Sequence, residues 1–410
     1  MSSDTSSNAS PVIVAGAGPT GMTAALSLHA RGVPVTVLEA DPQDRERPGS
    51  RAIFVHGATL QTLEQNRPGL GTTLAEEGII WPTRRTLWRG KEVFSRTYSN
   101  PGGSGDLPHF TSLPQVWTED YMLDALREVG LDVHWDSTVT TVNSSHDGVR
   151  VETEDGDEWE AAYVVGADGA GSTVRKEIGA AFDGEESKNS FIIADIDEVS
   201  ENPRQQERVF HYDHPDVDGR NVLLVPFQGG WRVDIQCKES DDPDILAKDE
   251  NIRELVATTL GERYRDRVSW VSTYQFLQVT ADTIIDDHRR VLLAGEAAHL
   301  FAPFGARGMN SGITDADRAA SAITVARQAA VEETARTEIE TYAARREQAA
   351  EWNKNAAGQA LKYLQGDSPV TKTKKRLAAE LADYSERAGE WLDDAPYGPH
   401  GSPPVSVGQY

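Results

Sequence analysis

The 410-residue chain contains one cysteine, Cys237, and little lysine: ten of its 40 basic residues. A single thiol closes no internal disulfide and finds no partner for a thiolate metal cluster, so a disulfide framework and a zinc site are excluded and no metal is expected. Cys237 reads as a small core thiol on a strand. Long apolar runs are missing too. No stretch approaches the roughly 18 to 20 residues needed to span a bilayer. Residues 1–10 are polar, without the basic-then-apolar order of a secretion signal, so the expected location is the cytoplasm. Positive charge is in deficit, with 65 Asp and Glu against 40 Lys and Arg, a formal charge of −25. That sign excludes nucleic acid as a partner, because phosphate binding needs the opposite one. Two readings of the acidity stay open: an ordinary soluble surface, or one adapted to a salty cytoplasm in which ions screen the repulsion.

The length suggests two or three structural units. Residues 12–15 are apolar, a Gly-rich turn follows, an Ala/Leu-rich stretch runs to Ala30, and residues 33–38 are apolar again. This is the strand, helix, strand order of a βαβ unit. Residues 163–165 and 291–294 also lead from Val-rich runs into Gly-containing turns and helical patterns, so three distant turns can converge at the carboxyl ends of parallel strands. Residues 190–280 differ: alternating strands such as 221–225 and 231–236, bounded by Gly, Pro and Asp, predict an inserted antiparallel sheet. Residues 79–113 have similar broken-strand character, with a loose Gly/Ser stretch at 99–106. From 312 to 365 the pattern is helical, and 393–410 is rich in Pro and Gly. The expected fold is α/β, with a discontinuous nucleotide domain (11–78, 114–187, 281–330), a sheet domain (79–113, 188–280), a C-terminal helical region (331–392) and flexible tails (1–10, 393–410). No internal repeat is evident.

Gly16-Ala17-Gly18-Pro19-Thr20-Gly21 follows a strand and opens a helix. Its glycines allow a tight turn, close approach to a pyrophosphate and close helix packing, and the helix N-terminus then faces the phosphates. Glu39, next to Ala40, ends the second strand eighteen residues after Gly21, where a carboxylate accepts hydrogen bonds from ribose hydroxyls. The second turn, Gly166-Ala167-Asp168-Gly169-Ala170-Gly171-Ser172, taken alone is an ordinary strand-to-helix loop with a capping Asp or Ser. The third segment carries Gly295-Glu296 after its strand, then Pro303-Phe304-Gly305-Ala306-Arg307-Gly308-Met309-Asn310 at a helix start. The carboxylate suits a sugar or ribityl hydroxyl, and the helix start suits an anion.

With these three ordered motifs, the chain resembles the class A flavoprotein aromatic hydroxylases, the p-hydroxybenzoate and phenol hydroxylase family, over about residues 11–330. The resemblance implies a Rossmann-type FAD-binding domain carrying an inserted substrate sheet. It implies FAD as cofactor and NAD(P)H and O2 as co-substrates. Arg51 looks like the arginine near the FAD and pyridine-nucleotide phosphates, and Gln115 like the glutamine contacting FAD. The Asp168–Gly169 turn would serve both nucleotides, which accounts for the missing second GxGxxG. The resemblance further implies hydride transfer to FAD, O2 addition at flavin C4a and transfer of electrophilic oxygen from that hydroperoxide to an activated ring. Pro303 and Gly305 would lie against the flavin, and backbone N–H groups of Gly308, Met309 and Asn310 against its anionic edge. Three departures stand out. Glu296 occupies a position where the family usually has Asp. Asp317-Arg318-Ala319-Ala320 replaces a more apolar continuation, which should change helix packing. Many relatives of the Pro-Phe-Gly-Ala-Arg-Gly type continue into a thioredoxin-like domain, which is not expected in this chain.

No residue is singled out as the base that activates a phenol. His299 is read either as a site residue or as a histidine packed behind the flavin loop. Tyr212, Phe227, Trp231 and Arg232 fall on the inserted sheet, where either a substrate pocket or ordinary sheet packing accounts for them. A small aromatic substrate is the expected partner, and a homodimer stays open. So do two other functions: a related reductase, oxidase or halogenase, although the Trp-x-Trp-x-Ile-Pro signature of halogenases is absent, and a non-catalytic protein that keeps the fold.

Overall fold

The computed structural model describes residues 10–47, 49–99, 102, 105–366 and 368–398, with backbone alone at 187–189. The tail residues 1–9 and 399–410, and residues 100, 101, 103 and 104 of the Gly/Ser stretch, lie outside the described residues. No described helix is long and apolar enough to cross a membrane.

Five parallel strands form the nucleotide-type sheet, in the spatial order Val291–Leu293, Tyr163–Gly166, Val12–Ala15, Val35–Leu38, Val133–His134. The central strand, Val-Ile-Val-Ala, is buried throughout, as a parallel strand covered on both faces must be. Ile13 pairs with Val164 on one side and Thr36 on the other, so the chain leaves the central strand in opposite directions and Ala15, Gly166 and Leu293 end at one level. That arrangement opens a crevice at the carboxyl ends. Asp317, one of the departures noted above, sits on the helix Arg307–Gln328 and accepts from Ser27 Oγ at 2.7 Å, Arg31 Nη2 at 2.9 Å and Asn66 Nδ2 at 3.1 Å, tying three helical segments together.

The inserted sheet has eight strands, ordered His299–Leu300, Val268–Ala281, Phe182–Asp197, Gly230–Gln236, Arg220–Phe227, Glu207–His214, Thr83–Trp88, Lys91–Thr97. The expectation of a purely antiparallel sheet needs correction. Glu207–His214 pairs in parallel with Thr83–Trp88, Val209 opposite Arg85, and this pair joins the two insertions into one surface. Phe182–Asp197 also continues as one strand through the expected boundary at 187, its register with Val268–Ala281 shifting between Glu186 and Ser190, and His299–Leu300 carries the sheet back to the nucleotide domain. Alternation decides its faces. Trp231, Val233 and Ile235 pack against Ile252, Val256 and Leu260 of the helix Asp249–Leu260, whereas Arg232, Asp234 and Gln236 line the cavity. Cys237 follows this strand in the core, where burial raises its thiol to about 11.

The C-terminal region is helical: Glu332–Gln365, Pro369–Leu381 and Glu386–Asp394. The expected flexible tail, 393–410, is overturned by the packing for residues 393–398 alone, the rest lying outside the described residues. Asp393 is 0 % exposed and accepts from Arg208 Nη1 at 2.7 Å and Thr86 Oγ1 at 2.6 Å. Buried ionic and hydroxyl partners supply the docking force that Pro/Gly content alone did not reveal.

Candidate active site

The three strand-end turns and the inner face of the eight-stranded sheet enclose one cavity of about 1550 Å³. Single drug-sized ligands occupy about 300–1,000 Å³, so there is room for a large cofactor and a second molecule. Gly16, Gly18, Pro19, Thr20, Glu39, Ala40, Arg51, Gln115, Asp168 and Gly169 line it, as do Glu296, Pro303, Gly305, Gly308 and Met309.

The first glycine loop divides its labour. Gly16 has φ +101, and a Cβ there would sit 2.4 Å from Ala167 O; a Cβ on Gly21 would sit 1.9 Å from Gly16 O. These two permit the turn to close and the helix to press on it. A Cβ on Gly18 meets nothing within 4 Å, so this glycine borders open space at the N-terminus of the helix Pro19–Ala30. Gly308, in the first turn of Arg307–Gln328, is open in the same way. Glu39 is oriented by backbone donors, Oε2 accepting from Ala17 N at 2.5 Å and Oε1 from Asp41 N at 3.0 Å. Asp168 accepts from Ser172 Oγ at 2.5 Å and Val174 N at 3.0 Å, so its carboxylate caps the following helix while its turn faces the cavity. Glu296 opens to the lumen but is ringed by protein. Burial pushes its carboxyl up, and His299 and Arg51 partly offset this.

Gly21, Gly295 and Asn310 stand behind the wall. Gly295, at φ +62, lets Thr20 approach: a Cβ would lie 2.5 Å from Thr20 Oγ1. The Asn310 side chain bonds His56 N at 2.9 Å, Thr59 Oγ1 at 2.7 Å, Phe54 O at 2.9 Å and Ala306 O at 2.8 Å, fastening the 303–308 loop. His299 is a packed histidine, stacked on Phe301 and bonded to Asp315 at 2.6 Å; Arg346 holds the other Asp315 oxygen at 2.5 Å. Tyr212 and Trp231 are buried away from the cavity, donating to Leu392 O and Glu198 respectively.

Arg51 adopts φ +54, unusual for a side-chain-bearing residue. Its neighbours enforce it. Asp195 accepts from both Ser50 N and Ser50 Oγ, and Arg232, paired with Asp234 at 2.6 Å, donates to Arg51 O. The inserted sheet thus aims a nucleotide-side arginine into the cavity, a strain of about 1–3 kcal/mol met by buried partners. Asp195 and Ser50 went unnoticed in the sequence because nothing local marks a contact across 145 residues. His56 was missed as well. Burial first, then Arg307, lowers it to about 3, so it faces the cavity as a neutral imidazole.

A dinucleotide crevice continuous with a sheet-walled chamber defines the class of flavin-dependent monooxygenase folds, and the comparisons agree. A family model described as "FAD binding domain" matches residues 9–356, so the chain belongs to that family, which comprises class A flavoprotein monooxygenases. It is 29% identical over 321 residues to the rifampicin monooxygenase of Streptomyces venezuelae (74% of this chain, 62% of that one). It is 31% identical over 346 residues to the 6-methylpretetramide 4-monooxygenase of Streptomyces rimosus (82% and 58%). The chain therefore spans about three-fifths of the length of these curated relatives. In fold it is similar to the p-nitrophenol 4-monooxygenase of Pseudomonas putida DLL-E4, with TM-score 0.77, 22% identity and coverage of 95% and 98%.

Proposed function

We propose that the protein is an FAD-dependent aromatic monooxygenase of the cytoplasm, using NAD(P)H and O2 to hydroxylate a phenol-like ring. The observation that carries this reading is the single cavity joining three nucleotide-type turns to a wall of aromatic side chains. The residues fit FAD: Gly18 and Gly308 leave open cradles at two helix N-termini, and two carboxylates, Glu39 and Glu296, stand where ribose and ribityl hydroxyls need acceptors. When bound, FAD supplies hydride acceptance from NAD(P)H and activation of O2.

The chain's own part is placement and charge. Backbone N–H groups of Gly18 and Thr20 at the helix N-terminus and the Asp168–Gly169 turn would hold the phosphate half, with Gln115 beside them. Arg51 offers a cation to the pyridine nucleotide. N–H groups of Gly308 and Met309 stabilise negative charge at the ring edge, and Pro303 and Gly305 form the loop against that ring. Phe191, Phe210, Trp270 and Phe276 exclude water from the substrate half.

A second reading is favoured by the 29% identity, over 309 residues, to the dialkyldecalin synthase of Streptomyces rugosporus: the same cavity serving a synthase reaction in place of hydroxylation. One experiment separates the two. Purified yellow protein is given a phenol panel under labelled O2, and label in a ring hydroxyl is expected for at least one ligand that stimulates NAD(P)H oxidation. If every such ligand sends all consumed oxygen to peroxide or water, the hydroxylase reading fails.

A further inference from the structure

Three arginines on one sheet face, Arg84, Arg208 and Arg232, line the substrate half of the cavity. In a pocket built for a carboxylate, at least one would present an uncompensated fork to the lumen. Each is matched instead. Arg208 Nη1 donates to Asp393 Oδ1 at 2.7 Å. Arg84 Nε lies 2.9 Å from Asp393 Oδ2, and its Nη2 lies 3.4 Å from Asp394 Oδ1. Arg232 Nε donates to Asp234 Oδ1 at 2.6 Å, with Asp195 also near. Arg307 is engaged by Asn353 Oδ1 at 3.0 Å, Tyr397 O at 3.2 Å and the face of Trp352. The neighbouring imidazole, His56, is neutral at ordinary pH.

Two of these arginines share the single carboxylate of Asp393, with Asp394 supplying the second negative charge beside Arg84, and Asp393 belongs neither to the sheet nor to the nucleotide domain. It arrives at the end of the helix Glu386–Asp394, just before Tyr397, whose ring lies 5.1 Å from the Arg208 guanidinium and lines the cavity. Around this neutral patch stand Phe191, Phe210, Trp270, Tyr274 and Phe276.

We infer that the substrate is an uncharged, ring-bearing molecule and that Asp393 is the residue that sets this choice, by offsetting, together with Asp394 and from behind the wall, the two cations that a carboxylated ligand would need. An anion entering the substrate half would lose its water and find no uncompensated cation on the sheet wall. The inference rests on the aromatic-substrate reading above and goes further by fixing the ligand's charge and the residue that selects it.

The test uses the holoenzyme at pH 7 and matched pairs: phenol with 4-hydroxybenzoate, and 2-naphthol with a hydroxynaphthoate. Binding is read from the change in flavin absorbance and, independently of the flavin, by calorimetry. The neutral member of each pair should bind about tenfold or more tightly, a gap of about 1.4 kcal/mol. Asp393→Asn should narrow that gap severalfold while retaining flavin. If Asp393→Asn does not hold FAD, Asp394→Asn, whose carboxylate is part-exposed beside Arg84, must narrow it by about twofold, half the logarithmic effect of a fourfold change. Equal or tighter binding of the carboxylated members by the wild type overturns the inference, as does an unchanged gap in the variant that keeps its flavin. Loss of the monooxygenase reading would look different: neutral rings bind, but no hydroxylated product forms.

Discussion

Gly18 is where the cofactor reading can be tested without disturbing the scaffold. Its φ of −77 and ψ of −179 suit any L-residue, and a Cβ there meets no atom within 4 Å. Gly18→Ala should therefore leave the cofactor-free protein within about 1 kcal/mol of wild type, on the stable side if anything, because alanine restricts the unfolded chain. The same carbon fills the space beside the helix N-terminus. Carbon contacts stop at about 3.5–4.0 Å, whereas a phosphate oxygen must come to about 2.9 Å from the backbone N–H. Displacing it from two charge-assisted hydrogen bonds of about 1.5–3 kcal/mol each predicts a loss of about 3 kcal/mol or more, over a hundredfold in FAD affinity; Gly18→Val should lose more. Gly16→Ala is the contrast. There the left-handed backbone costs about 1–2 kcal/mol, and the 2.4 Å approach to Ala167 O adds about 1–3 kcal/mol of overpacking, so the scaffold itself melts early. The assay pairs thermal unfolding of the flavin-free proteins with titration of FAD by fluorescence quenching. A Gly18→Ala protein that binds FAD like wild type, or melts as early as Gly16→Ala, refutes the assignment.

Two other outcomes follow from charge. With 65 acidic against 40 basic residues, the melting temperature should rise as NaCl or KCl goes from about 0.1 M, where the Debye length is about 10 Å, to about 1 M, where it is about 3 Å; a flat or falling curve leaves only the ordinary acidic surface. Burial pushes the Asp315 carboxyl up, but Arg346, His299 and the Gly295 N–H together hold it down to about 2. Its folded value lies below the unfolded one of about 3.9, so its contribution, on the order of 2 kcal/mol, is complete above about pH 4 and lost as pH falls toward 2. Asp315→Asn should flatten that limb of the stability profile and cost about 3–5 kcal/mol at pH 7 by leaving Arg346 unpaired; an unchanged acid limb would contradict it.

The nucleotide half was legible because its signals are local. A buried Val-Ile-Val-Ala strand, a glycine turn and an acid at the end of the next strand lie within thirty residues, and periodicity reads them directly. The sheet half was legible only as strands. Trp231 and Tyr212 drew notice as large aromatics, yet the pleat turns Trp231 into the core and leaves the adjoining Arg232 on the cavity side, while Tyr212, on the same face as the cavity-lining Phe210, is covered by the C-terminal helices. Parallel pairing of Glu207–His214 with Thr83–Trp88 spans more than a hundred residues and leaves no trace in composition. Asp393 was hidden for the opposite reason: its neighbourhood has the Pro/Gly character of a loose tail, and only the arginines of distant strands make it a buried residue.

The Asp393 anchorage also has a bearing on the order in which the protein matures. The parallel sheet and its covering helix Arg307–Gln328 are complete once residue 328 has been made. The chamber wall formed by Pro396 and Tyr397 needs about seventy further residues, and at roughly 5–20 residues per second these take several seconds to emerge. A nascent chain therefore passes through a stage in which the nucleotide crevice is built while the chamber beside it stands open. Until those residues arrive, the aromatic side chains of the chamber lack the part of their wall that Pro396 and Tyr397 complete.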